Sequence, residues 1–155
     1  MAERALVIVP TYNERNNISS LVARILEQDP RLEVLVVDDG SPDGTGALVD
    51  EMAALEPRVH AMHRAQKLGL GTAYIAGFKW ALERDYAYMF EMDADFSHDP
   101  AHLPMFLKAI EDADLVLGSR YNRGNGSVVN GPIRRLMLSY AANLYARWVT
   151  GLPLD

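Results

Sequence analysis

The sequence predicts an α/β fold: a mostly parallel sheet with helices on both faces. Three observations predict it. Apolar runs of strand length alternate with segments of helical periodicity along the chain. The strand-like runs are continuous rather than alternating, as in strands buried on both faces. Their spacing is that of βαβ units.

The elements follow in order. "RALVIVP" ends in Pro10 and reads as the first buried strand. "NISSLVARILEQ" places Ile18, Leu21, Val22, Ile25 and Leu26 at helical spacing. "LEVLVVDDGS" is a second buried strand, and "DGTGALVDEMAAL" opens a second helix. "VHAMHR" is a short third strand, and "GTAYIAGFKWALERD" a helix of about four turns. "YAYMFEMD" reads as the fourth strand, "PAHLPMFLKAIED" as a helix started by Pro100, and "ADLVLGSR" as a fifth strand. There is no internal repeat and no low-complexity segment. The 155 residues suit one domain, 1–155, with 49% apolar content to build its core.

Composition narrows the function classes. The chain has no cysteine, which excludes disulfides and thiolate metal sites. The start, "MAERALVIVP", is too short in apolar residues for a signal peptide, and no run reaches the roughly 18 residues that cross a bilayer. The chain therefore reads as cytoplasmic, with a place against a membrane left open. Residues 1–114 carry 10 Lys/Arg against 20 Asp/Glu, whereas 115–155 carry five arginines and one acid, Asp155. An acidic body with an arginine-rich end argues against general nucleic-acid binding, which prefers a broad basic face, and fits a local anion site.

In an open α/β sheet, ligands bind in the crevice outside the carboxyl ends of the strands. The polar clusters fall there: "PTYNE", "DDGSPDGT", "RAQKLGLGT", "DADFSH" and "GSRY", one after each predicted strand. In "DADFSH", Asp93-x-Asp95 puts two carboxylates on one side of an extended strand end, where they can share a hard cation such as Mg²⁺ or Mn²⁺. The alternative is a solvated turn whose acids cap the next helix, a role for which Asp99 before Pro100 is well placed. His98 and His102 read as local packing or bonding partners. Asp38 and Asp39 can accept hydrogen bonds from a ribose or base edge, or serve turn chemistry alone.

"PTYNE" lacks the G-x-G-x-x-G of a dinucleotide-binding unit, which speaks against a Rossmann oxidoreductase. It offers instead Tyr12 to stack on a base and Glu14 to accept from base amino groups. Asn13 or Asn16 capping a helix, with Glu14 near its positive end, is the structural alternative. Gly69 and Gly71 allow close backbone approach at a helix start, or form a plain loop. Arg120 ends the fifth predicted strand, and Arg134 and Arg135 follow the glycine-rich "NRGNGSVVNGP", a reasonable mobile lid. Paired arginines there can clamp a phosphate bidentately. In "RRLMLSYAANLYARWVTGL", Ser139, Asn143 and Arg147 form one narrow polar stripe on a mostly apolar helix. Such a helix packs in a core, on a partner or at a membrane interface.

Together "PTYNE", "VVDDGSPDGT", "KLGLGTAYIAGFKWA", "MDADFSHDP" and "GSRY" resemble the inverting GT-A glycosyltransferases, most closely the dolichol-phosphate (polyprenol-phosphate) mannose synthases, collinearly over nearly the whole chain. The resemblance implies a Rossmann-like GT-A domain and transfer of mannose from GDP-mannose to a polyprenyl or dolichyl monophosphate, with inversion. "KLGLGTA" and "DADFSH" point to GDP-mannose over the UDP-sugars of related transferases. It implies that Pro10, Tyr12, Glu14, Asp39, Lys67, Gly69 and Leu70 line the nucleoside pocket. Asp93 and Asp95 then hold Mg²⁺ or Mn²⁺ and the diphosphate, with Ser97 at a third ligand position where relatives often have Gln. Asp95, Arg120 and Arg135 become the catalytic set. Ser119, Arg120, Arg134 and Arg135 meet the acceptor phosphate. The segment from Tyr121 to Gly131 becomes the acceptor loop, and the helix after it an amphipathic element at the cytoplasmic face of a membrane. Family members continue past "GLPLD" with a Thr-x-Gly-Phe-Arg-like segment, so the end at Asp155 reads as a truncation. A UDP-sugar transferase and a non-catalytic nucleotide-binding remnant are the competing expectations.

Overall fold

The structure is a computed structural model that describes residues 3–118 and, beyond them, Ala142, Leu144, Tyr145, Trp148, Val149 and Gly151. The chain divides into two compact units, Met1–Glu111 and Asp112–Asp155. The first unit holds a four-stranded sheet in the order β3-β2-β1-β4. Its strands are β1 (Ala5–Thr11), β2 (Leu32–Asp38), β3 (Val59–His63) and β4 (Tyr88–Glu91), and every pairing is parallel. The helices are α1 (Arg15–Leu26), α2 (Thr45–Leu55), α3 (Leu70–Leu82) and α4 (Leu103–Ala109), the last flanked by the 3₁₀ turns Pro100–His102 and Ile110–Asp112.

The continuous apolar runs have the predicted consequence, a core on each face. Ala5, Val7 and Val9 of β1 pack with Ile18, Leu21, Val22 and Ile25 of α1, Val49 of α2, and Leu103 and Leu107 of α4. Leu6 and Ile8 point the other way, with Leu35 and Val37 of β2, onto Ala73, Tyr74 and Ala81 of α3. Here α3 presses closest at Gly77, where an added Cβ would lie 2.5 Å from Ile8 Cγ2. Only a glycine lets the helix backbone come this near the strand.

The bounds of α1 and β4 shift in ways that matter to the site. Helix α1 begins two residues earlier than its periodicity suggested, after Glu14, and neither Asn13 nor Asn16 caps it. Strand β4 is four residues long rather than eight. The last bond between β1 and β4 is Met92 N–H to the Ile8 carbonyl at 3.2 Å. The next rung would need an N–H from residue 10, and Pro10 has none. The β1–β4 ladder therefore stops where the acidic cluster starts. Asp93 and Asp95 follow in a turn, not on an extended strand end, and the turn places Phe96 at φ +60°.

The predicted fifth strand is not formed over 113–118. These residues make no strand pairing, and Leu115 and Leu117 are exposed. An apolar run supplies a strand's faces but not its partner, and without a ladder there is no strand. Positions 119–120 lie outside the described residues. In the second unit, Ala142, Leu144, Tyr145, Trp148 and Val149 are helical where the amphipathic helix was expected, while its polar stripe lies outside the described residues. Among the described residues no helix is long and apolar enough to cross a membrane.

At the amino ends of the strands a single carboxylate gathers all four. Arg4, just before β1, donates to Glu33 Oε1 of β2 at 2.7 Å. His60 of β3 and Tyr86, just before β4, both reach Glu33 Oε2 at 2.7 Å. Burial alone would raise the Glu33 carboxyl, but the hydrogen bonds from Arg4, His60 and Tyr86 outweigh it and hold it at about 2, against an ordinary 4.5. A folded-state value below the unfolded one means that this network stabilises fully above about pH 4.5. That contribution fades as pH falls toward about 2. Glu33→Gln is expected to cost about 1–3 kcal/mol at pH 7 and to flatten the fall in stability between pH 5 and pH 3. Urea unfolding at several pH values checks this, and parallel pH profiles for the two proteins would refute it.

Candidate functional site

The strand ends opposite Glu33 enclose a cleft of about 240 Å³. Four chain segments build it. Pro10, Tyr12 and Glu14 come from the end of β1, and Asp39 from the end of β2. Lys67, Gly69 and Leu70 come from the turn into α3, and Asp93 and Asp95 from the turn after β4. Thr11, Ala73 and Ala94 complete the lining. The structure thus brings together every nucleoside-pocket residue nominated from sequence, and both acids. Ser97 is exposed and does not line the cleft. Ser119, Arg120, Arg134 and Arg135 lie outside the described residues.

The loops after β1 and β2 have no ladder to hold them, so side chains do it. Asp38, 3% exposed, accepts from the Thr11 hydroxyl, the Ser41 hydroxyl and the Ser41 N–H. Asn13 N–H donates to Ser41 Oγ at 3.0 Å, Glu14 N–H to Thr45 Oγ1 at 3.1 Å, and Arg15 N–H to Asp43 Oδ2 at 3.1 Å. Asp43 also takes the Thr45 hydroxyl and N–H, which hold its carboxyl below the usual range. Asn13 sits at φ +63°, a conformation asparagine tolerates better than most residues. Asp38 is therefore the turn-former of the acidic pair, and Asp39 the one that reaches the cleft.

Asp39 is not free there. Arg64, the residue after β3, clamps it bidentately, Nε to Oδ1 at 2.5 Å and Nη2 to Oδ2 at 2.6 Å. The two side chains are 10% and 7% exposed, a desolvated pair. Arg64 also donates to Thr72 Oγ1 at 2.8 Å and to the Gly69 carbonyl at 3.2 Å, and the Leu68 N–H donates to Asp39 Oδ2. One guanidinium thus positions the acid and pins the start of α3. Gly69, at φ +97°, makes the turn between them in a conformation that L side chains rarely adopt. Tyr12, 37% exposed, lies with Lys67 Nζ 4.1 Å from its ring centroid.

The second acidic group is held differently. Tyr74 of α3 donates its hydroxyl to Asp93 Oδ1 at 3.0 Å. Burial raises this phenol well above the ordinary tyrosine range, and the charge of Asp93 adds to the shift. His98 Nδ1 accepts the Asp93 N–H at 3.3 Å, so His98 bonds locally, as expected. Ser97 N–H donates to Asp95 Oδ1 at 2.9 Å, and hydrogen bonding from Ser97 keeps the Asp95 carboxyl below its usual range. Asp99 takes the capping role, accepting from Ala101 N–H and from Arg24, both at 3.1 Å. Among the described residues no three His, Asp or Glu side chains cluster as a metal cage. Four carboxylates line the cleft, and the two after β4, Asp93 and Asp95, are the hard oxygen donors not engaged by an arginine or by α1.

This geometry coincides with a sequence match. The glycosyl transferase family 2 profile covers residues 6–151. The chain belongs to that family. The fold is accordingly GT-A-like. It is similar to the polyprenol monophosphomannose synthase of Mycolicibacterium smegmatis, 55% identical over 154 residues, 98% of this chain and 58% of that protein. It is also similar to the undecaprenyl-phosphate mannosyltransferase of Micrococcus luteus, 52% identical over 151 residues, 97% of this chain and 62% of that protein. The chain spans about three fifths of the length of these curated relatives. The crystal structure of S. aureus TarS 1-349 shares the fold, with a TM-score of 0.59 at 22% identity over 77% of this chain and 40% of that one.

Sequence reasoning about this family 2 domain missed Arg64 and Tyr74. Arg64 had a signal, a charge at the end of a buried strand on the rim of the other polar clusters. Tyr74 had none, because a tyrosine inside a helical apolar pattern reads as core. Arg64→Met leaves Asp39 buried without its counter-charge and is expected to cost about 3–5 kcal/mol of stability, with Arg64→Lys intermediate. Urea unfolding measures this. A loss below about 1 kcal/mol would show that the pair is not the anchor described.

Proposed function

We propose that this chain is the donor-binding part of an enzyme that transfers mannose from GDP-mannose to a polyprenyl monophosphate, with inversion at the anomeric carbon. One observation carries the reading. The nucleoside-pocket residues and the two acids nominated from sequence line one cleft, in a chain more than half identical to two proteins named for mannosyl transfer to polyprenyl phosphates.

In this reading the guanosine lies along Pro10, Tyr12, Glu14, Lys67, Gly69 and Leu70. Asp39 accepts from it with the one carboxylate site on Oδ1 that Arg64 and the Leu68 N–H leave open. Asp93 and Asp95 lie at the diphosphate end of the cleft. Hard carboxylate oxygens suit Mg²⁺ or Mn²⁺, and two of them match the small number that Mg²⁺ takes from protein beside substrate phosphates. Such an ion, when bound, neutralises charge developing on the leaving diphosphate. Ser97 then acts through Asp95, whose Oδ1 its N–H orients. Ser119, Arg120, Arg134 and Arg135 are assigned to the acceptor phosphate, with Arg120 and Arg135 joining Asp95 in the catalytic set. The acceptor phosphate has a second pKa of about 6 and is ionised near neutral pH, so no strong general base is required. Catalysis then rests on placement and charge stabilisation.

Calorimetric titration with GDP-mannose, GDP and UDP-glucose, each with and without Mn²⁺, tests the donor. Selective, metal-dependent binding of the guanine ligands is expected, and Asp95→Ala is expected to abolish it with the fold intact. Preference for UDP-glucose would overturn the donor assignment, and unchanged binding by the variant would overturn the role of the acids.

The proposed location is the cytoplasmic face of a membrane, met through the C-terminal helix. Leu144, Tyr145, Trp148 and Val149 are exposed, and Tyr and Trp favour a membrane interface. Trp148→Ala is expected to reduce co-sedimentation with phospholipid vesicles several-fold. Equal recovery of both proteins would count against this surface.

A further inference from the structure

Tyr74 is the fifth residue of α3. Its ring belongs to the core cluster of Leu6, Ile8, Leu35 and Val37, and the residue is 8% exposed. Its hydroxyl leaves that core at one point only, to donate to Asp93 Oδ1. We infer that Tyr74 is a positioning residue for the acid pair, holding one oxygen of Asp93 so that the other is presented to a divalent cation. The inference deepens the proposed use of Asp93 and Asp95 and rests on it.

The physical case has three parts. First, Asp93 and Asp95 lie past the end of the β1–β4 ladder, so the backbone there is not held by strand bonds. The main chain of Asp93 is fixed by His98 and its side chain by Tyr74. Second, two carboxylates beside one cleft repel each other, and an untethered Asp93 would rotate away when no cation lies between them. A neutral donor of fixed position keeps it in place and removes an ordering cost from cation binding. Third, the donor comes from α3, whose first turn lines the cleft with Leu70 and Ala73. The wall proposed for the nucleoside and the tether of the acid are therefore one rigid helix. Oδ2 of Asp93 takes no hydrogen bond among the described residues, and Asp95 is oriented separately, its Oδ1 accepting the Ser97 N–H at 2.9 Å.

A buried tyrosine hydroxyl needs some partner, so a purely structural role must be separated from positioning. Tyr74→Phe does this, because it keeps the ring and removes only the donor. Mn²⁺ binding is measured by the loss of the free-ion EPR signal on the full chain, its Tyr74→Phe variant, Asp93→Asn and the double variant. Positioning predicts that Tyr74→Phe weakens Mn²⁺ binding roughly 10-fold, with the metal-free melting temperature nearly unchanged. It also predicts that GDP affinity returns to the parent value at saturating Mn²⁺. In the Asp93→Asn background, where residual binding runs through Asp95, Tyr74→Phe adds no further loss. Unchanged Mn²⁺ affinity, or an equal loss in both backgrounds, overturns the inference. So does a weakening that merely tracks a fall in melting temperature. A parent chain that binds no Mn²⁺ overturns it together with the metal assignment. If the parent binds Mn²⁺ but prefers UDP to GDP, only the donor assignment fails, and the Tyr74 comparison still decides the inference.

Discussion

The fold and its cleft depend on β1 being buried on both faces and both edges. Residues Ala5 to Val9 are all fully buried. They pair with β2 on one side and β4 on the other while packing on helices above and below. Such a strand has no freedom to shift: a slip of one residue would exchange the side chains facing the two cores. That rigidity sets where the chain leaves the sheet. Pro10 lacks the N–H for the next rung with β4, while the β2 side continues through Thr11 and Asp38 to the Asp39 N–H. The two neighbours of β1 therefore part from it at different heights, and the cleft opens at that step. The chain runs outward from β1 to β2 and β3, then returns to the other side as β4. The step falls where that order reverses, the place where open α/β sheets bind ligands.

The two rims of the sheet solve different problems. At the amino ends, one half-buried carboxylate with three donors from three other segments locks the strands together. At the carboxyl ends, each loop must stay in place yet leave hydrogen-bonding capacity exposed. The division of labour between Asp38 and Asp39 achieves this. Asp38 spends its oxygens on Thr11 and Ser41 and closes the turn. Asp39, held by one guanidinium and the Leu68 N–H, keeps one acceptor site on Oδ1 and lines the cleft. Holding an acid from behind with a buried arginine keeps it oriented without occupying the cleft.

Charge presents the harder problem. The first 114 residues carry a net −10, yet the proposed donor is itself an anion. Two acids at the end of the cleft repel a diphosphate unless a cation lies between, so the arrangement favours donor and metal together over either alone. Tyr74 and Ser97 fit this logic. Each donates a hydrogen bond that keeps an acid placed while adding no positive charge that would compete for the carboxylates.

Much of the fold was legible in the sequence because its determinants are local. A strand buried on both faces must be a continuous apolar run, a helix against a sheet must repeat its apolar positions at 3.6 residues, and the polar residues that such runs exclude must collect at their ends. Four strands, four helices and the rim carrying Pro10, Tyr12, Glu14, Asp39, Lys67, Asp93 and Asp95 follow from that alone. Tertiary structure decided what depends on partners. Residues 113–118 have the pattern of a strand but no ladder. Asp93 and Asp95 share a cleft because of a turn, not because alternate residues of a strand share a side. Arg64 reaches Asp39 across 25 positions and Tyr74 reaches Asp93 across 19. No periodicity records such pairs, because the distance that matters is measured across the folded sheet and not along the chain.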